Sequence, residues 1–124
     1  MKLKQIQQVL RASLAWRPNP YDYEQLDIHS CHASDLLSDV ITFQGQGSLL
    51  LTGLTNPQVI RTAQLLDFVA VAITRAKQPL PETLTLAEQD GILLLLTPCS
   101  MFEACGRLYE EGLRSPTREE GCGR

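Results

Sequence analysis

The chain has 124 residues, 44% of them apolar, with a formal net charge of −3 and a pI near 5.3. That length suits one domain able to bury its own core. The 11 Lys and Arg are scattered among 14 Asp and Glu, which excludes the clustered cations that nucleic-acid binding requires.

No apolar run approaches the roughly 20 residues needed to cross a bilayer. The opening Met1-Lys-Leu-Lys-Gln-Ile6 is too polar for a secretory signal, so a cytoplasmic protein without membrane attachment is expected. Cys31, Cys99, Cys105 and Cys122 form no CxxC pair and read as free thiols of a reducing compartment.

In chain order, Leu3, Ile6, Leu10 and Leu14 recur at helical spacing and predict an opening amphipathic helix. Arg17-Pro-Asn-Pro-Tyr21 ends it, because proline cannot continue a helix interior. Residues 17–27 read as a polar loop, and the short apolar signal around Ile28 as a strand. Ser34 is placed to cap a helix through Leu36, Leu37, Val40 and Ile41. Gln44-Gly-Gln-Gly47 is a turn.

The stretch from Ser48 to Leu113 then repeats one pattern three times. Ser48-Leu-Leu-Leu-Thr52, Val69-Ala-Val-Ala-Ile-Thr74 and Ile92-Leu-Leu-Leu-Leu-Thr97 are apolar runs closed by threonine. Each is followed by a proline-containing turn and a helical pattern. Three strand–turn–helix units predict an α/β fold: three α/β/α layers around a largely parallel sheet of four to five strands. Asn56 reads as an N-cap with Pro57 at the first helical position, and Val59, Ile60, Ala63 and Leu66 as the buried stripe. Asp90-Gly91 reads as a helix stop. Ser100-Met-Phe-Glu103 reads as a capping box, followed by Phe102, Cys105 and Tyr109 at helical spacing and Gly112 as C-cap. Residues 114–124 hold little to bury and read as a frayed tail behind a domain of residues 1–113.

In parallel sheets ligands bind just beyond the carboxyl ends of the strands. The three threonines and the helix starts at Asn56, Leu80 or Pro81, and Ser100 belong to that edge. Helix N-termini suit anions, and Arg75 and Lys77 add positive charge in the middle loop. Against this stands the fact that every such fold has helix N-termini capped by their own side chains. There is no GxxxxGK[ST], and Gly45 and Gly47 precede a strand instead of following one.

Other chemistry-bearing groups carry less. His29-Ser-Cys31-His32 matches no strong metal signature, so ordinary packing is the reading and no metal or cofactor is expected. Cys99 could act as a nucleophile only with a base such as His32 nearby. Asp35 and Asp39 are spaced to share a helix face, but such pairs are usually solvated or capping. Trp16 is read as packing.

Leu51-Thr-Gly-Leu-Thr-Asn-Pro-Gln-Val-Ile-Arg-Thr-Ala63 resembles the strand–loop–helix element of DRTGG domains. Ile73-Thr-Arg-Ala-Lys-Gln-Pro79 through Leu86-Ala-Glu-Gln-Asp-Gly91 is similar to the unit that follows it. Ile92-Leu-Leu-Leu-Leu-Thr-Pro-Cys-Ser-Met-Phe102 resembles the closing pattern, and Ser34-Asp-Leu-Leu-Ser-Asp39 the early Ser/Asp helix start. The eponymous string is absent, and Thr74-Arg-Ala-Lys77 stands where related domains carry a glycine pair. The resemblance implies a fold like the N-terminal domain of HPr kinase and a regulatory or dimerising role. Such domains accompany CBS domains in some pyrophosphatases, and phosphotransacetylases. Short stand-alone members are common in anaerobes, often encoded beside hydrogenase or iron–sulfur proteins. Kinase activity is not expected, because the P-loop kinase domain is missing.

The expectation is therefore a non-catalytic regulatory or ligand-binding module and homodimer, sensing a nucleotide or other phosphorylated metabolite. Thr52, Asn56, Thr74, Arg75, Thr97 and Ser100 are the candidate contacts. The other expectation is a protein-interaction or dimerisation module of an anaerobic, hydrogenase-type redox complex.

Overall fold

The computed structural model describes residues 1–17, 23–42 and 45–116. Its strands are β1 (Ser13–Trp16), β2 (Ser30–Ala33), β3 (Ser48–Thr52), β4 (Ala70–Ile73) and β5 (Leu93–Leu96). They form a five-stranded sheet in the order β1-β5-β4-β3-β2. β2 to β5 run parallel, and β1 closes one edge antiparallel to β5. The helices are α1 (Leu3–Leu10), α2 (Leu37–Val40), α3 (Pro57–Leu65), α4 (Pro81–Asp90) and α5 (Met101–Glu110).

Every residue of β3, β4 and β5 is buried, because helices cover both faces of the sheet. Side chains alternate along each strand and so divide into two cores. Leu49, Leu51, Ala70, Ala72, Leu93 and Leu95 pack with Leu3, Ile6 and Leu10 of α1 and Ala104 and Leu108 of α5. Leu50, Val71, Ile73, Leu94 and Leu96 pack with Val59, Ile60 and Ala63 of α3, Ala87 of α4 and Val40 of α2. The expected three layers and largely parallel sheet are thus present.

Several local expectations change. The opening helix stops at Leu10, and Leu14 lies in β1. Arg11 turns left-handed (φ 54°), its N–H donates to Gln8 O and that of Ala12 to Gln7 O, and the helix is closed. Leu14 keeps its place against the α1 core from a strand, so the helical spacing of four leucine-type positions misled. Ile28 is buried but precedes its strand, which starts at Ser30. α2 is a single turn capped at Leu36; the Ser34 hydroxyl accepts the Leu36 N–H at 3.0 Å and makes a turn ahead of it.

Asn56 caps α3 as expected, its Oδ1 accepting the Gln58 N–H at 3.1 Å, with Pro57 behind it. Gly91 ends α4 at φ 70°. On α5 Ser100 accepts the Glu103 N–H at 3.2 Å, but the Glu103 carboxylate meets Arg107 at 3.3 Å instead of reaching back, so the box is half formed. Phe102 is 90% exposed and Tyr109 61%. The buried arc of α5 runs through Ala104 and Leu108, and Phe102 lies two residues, about 200°, away from it.

The Arg114 carbonyl accepts the Cys31 N–H at 2.9 Å, so the chain is still tied to the β2 edge there. The remainder of the expected tail from residue 117, most of the proline segment after Arg17, Gln44 and Cys122 lie outside the described residues. No helix among the described residues is long and apolar enough to cross a membrane.

Candidate functional site

The parallel register pairs Thr52 with Ile73 and Ile73 with Leu96, so Thr52, Thr74 and Thr97 emerge together at the carboxyl edge. All three are buried, and two have internal tasks. The Thr97 hydroxyl donates to the Leu10 carbonyl at 2.6 Å and accepts the Cys99 N–H at 3.2 Å, tying the edge to α1. The Thr52 hydroxyl donates to Asp35 Oδ1 at 3.0 Å and accepts the Leu54 N–H at 3.2 Å. Asn56 and Ser100 cap their own helices, and only those helix ends' remaining N–H groups are left for a ligand.

The closest convergence is around Gly53. Asp35 Oδ1 accepts its N–H at 2.6 Å, and Lys77 Nζ donates to its carbonyl at 3.0 Å. A Cβ on Gly53 would stand 3.2 Å from Thr74 Oγ1 and 3.3 Å from both Asp35 Oδ2 and Lys77 Nζ. Glycine lets one carboxylate, one ammonium and one hydroxyl from three separate segments meet. Gly53 is the site residue that sequence reasoning missed; the sequence singles out Asp35 only as half of a pair with Asp39, and Lys77 only as added charge. The available signal was positional: Asp35 follows β2 as Gly53 follows β3, so parallel register brings both to one edge.

Arg75 is exposed at the mouth of this edge. Arg75 (φ 60°) and Ala76 (φ 51°) are both left-handed. The Arg75 N–H donates to the Cys99 carbonyl at 2.9 Å and that of Ala76 to the Thr97 carbonyl at 2.7 Å. The Thr74–Lys77 loop therefore keeps a glycine-like backbone without a glycine.

The other candidates separate. Asp35 serves Gly53, whereas Asp39 Oδ2 lies 3.3 Å from His32 Nε2. Burial pushes the His32 pKa down, and Asp39 partly opposes that. Cys99 follows β5 and is buried with its sulfur toward the Leu10 carbonyl, and β4 and β3 stand between β5 and His32's strand. The Cys99–His32 pair does not form. Burial, with the neighbouring Cys105, pushes the Cys31 thiol up to about 12, and burial also raises Cys105; neither is a ready nucleophile. His, Cys, Asp and Glu of the described residues form no group of three or more able to hold a metal ion.

These features define the class: an α/β/α domain whose loops converge on an Asp–Gly–Lys cluster at the carboxyl edge of a parallel sheet. No protein-family model matches the chain, and no curated protein matches it in sequence. Among solved structures it is similar to the CBS and DRTGG domains of the regulatory region of Clostridium perfringens pyrophosphatase, complexed with the activator diadenosine tetraphosphate. The TM-score is 0.64 at 16% identity, over 86% of this chain and 45% of that one. At that identity the likeness is one of fold. This chain spans less than half the length of its structural neighbour.

Proposed function

We propose that the chain is a non-catalytic, DRTGG-like regulatory module that binds a nucleotide or other phosphorylated metabolite at the carboxyl edge, as a cytoplasmic homodimer. The observation that carries this is the Arg75–Ala76 turn. Two successive non-glycine residues held left-handed cost on the order of 1–2 kcal/mol each, and such strain collects at ligand clamps. The turn carries an exposed arginine two residues before Lys77 of the Asp35–Gly53–Lys77 cluster, and a guanidinium suits phosphate. The neighbour's complex with a dinucleotide activator gives the same direction from an independent source.

Thermal shift against ATP, AMP, diadenosine tetraphosphate and orthophosphate tests it. A ligand of the folded state at about 100 times its Kd stabilises by roughly 2.7 kcal/mol, a shift of several degrees. Arg75→Ala should remove that shift without lowering the unliganded Tm. A flat response from the wild-type chain overturns the reading.

A second reading, a protein-interaction module of a redox complex, is favoured by the outward Phe102 and Tyr109 on α5. Co-purification of a partner subunit that Phe102→Ser abolishes would decide for it.

A further inference from the structure

A cavity of about 810 Å³ opens at the opposite, amino-end edge of the sheet. That volume falls within the range of small-molecule sites. Phe68, Val69, Ile92 and Leu93, from the segments entering β4 and β5, supply an apolar lining. Asp67, in the turn between α3 and β4, and Asp90, the last residue of α4, add carboxylates.

The charge of this cavity is one-sided. Among the described residues, its lining contains two aspartates and neither lysine nor arginine. Among the described residues, no ion pair uses Asp67 or Asp90. α3 and α4 both end here, and helix C-termini carry partial negative charge. Two cations border the cavity on its Tyr23 side, each with a partner: Lys2 bonds Asp27 and the Gln25 carbonyl, and Arg17 stands over the Tyr23 ring at 5.0 Å. A phosphorylated ligand would meet repulsion on the helix side, whereas a cation with an apolar body finds both its complements.

We propose that this cavity is a second ligand site, for a small organic amine. Its ammonium head lies against the Asp67 and Asp90 carboxylates, and its apolar body covers Phe68 and Ile92. The site is separate from the carboxyl edge and does not depend on the reading of that edge.

The test is an NMR titration of the full chain with tryptamine, phenethylamine and agmatine. Indole-3-acetate serves as control, since it shares tryptamine's ring but carries the opposite charge. An amine of the panel should saturably shift the backbone amides of Gly47, Val69 and Gly91, and indole-3-acetate should not. Asp67→Asn keeps the left-handed turn, which asparagine tolerates, and Asp90→Asn keeps the helix end. Each should weaken amine binding by about two- to fivefold. Arg75→Ala should leave it unchanged. Equal binding of indole-3-acetate, no saturable shift with any amine, or unaltered affinity in both aspartate variants overturns the proposal.

Discussion

Asp35 and Lys77 hold the two ends of one residue. Asp35 Oδ1 takes the Gly53 N–H at 2.6 Å, and Lys77 Nζ gives to the Gly53 carbonyl at 3.0 Å. The turn after β3 is thereby locked to the segment after β2 and to the loop after β4. Asp35 also receives the Thr52 hydroxyl, so it carries the larger share. Asp35→Ala should destabilise by about 1–3 kcal/mol, as expected for losing bonds to a charged acceptor. Lys77 is exposed, and Lys77→Ala should cost less than about 1 kcal/mol. Urea denaturation of both variants checks the order; equal losses would mean that the carboxylate is not the principal clamp.

The Arg75–Ala76 turn makes a second prediction with the opposite sign. Glycine removes the left-handed penalty but adds entropy to the unfolded chain. The net effect of Ala76→Gly should be a stabilisation of about 0.5–1 kcal/mol, since its Cβ strain outweighs the entropy. A lower urea midpoint in Ala76→Gly would show that the turn is unstrained.

Thr97 was a candidate contact, yet its hydroxyl joins the Leu10 carbonyl to the Cys99 N–H in the interior. Thr97→Val leaves both groups buried with a bond missing. It should cost roughly 2–4 kcal/mol, from about 1–3 for each orphaned group with partial relaxation. Ligand binding at the carboxyl edge should survive under conditions where the variant is folded. Denaturation and calorimetric titration of the same sample separate the two effects.

His32 sets a pH dependence. Burial lowers its folded pKa below the ordinary 6.5, so below that value the unfolded chain binds the proton more readily. Stability should be full above about pH 6.5 and fall as pH drops toward the folded pKa. His32→Gln should flatten that slope between pH 6.5 and the lower pKa. An unchanged slope in urea denaturations across that window would assign it to other groups.

Local pattern reached far into this fold. A parallel strand covered on both faces must be a continuous apolar run, so Leu49–Leu51, Ala70–Ile73 and Leu93–Leu96 were legible as strands. Asn56-Pro57, Gly91 and Ser100 marked helix ends because capping is settled within three or four residues. From three such units the parallel sheet and its ligand-prone edge follow.

What local pattern does not contain, the tertiary structure decided. Whether Leu14 continues a helix or starts a strand depends on an open edge at β5, and only the assembled sheet supplies it. Phe102 faces outward because α5 is rotated to seat Ala104 and Leu108 on α1's core. Asp35 meets Thr52 across 17 residues and Thr97 meets Leu10 across 87, so no short window relates them. The acidic cavity assembles from four separate segments at the amino edge. Amino-acid order alone determined which segments form strands and helices and which edge their loops share, because those are matters of hydrophobic period and capping. Which polar atoms meet at that edge, and which remain free for a ligand, was decided only when distant segments packed.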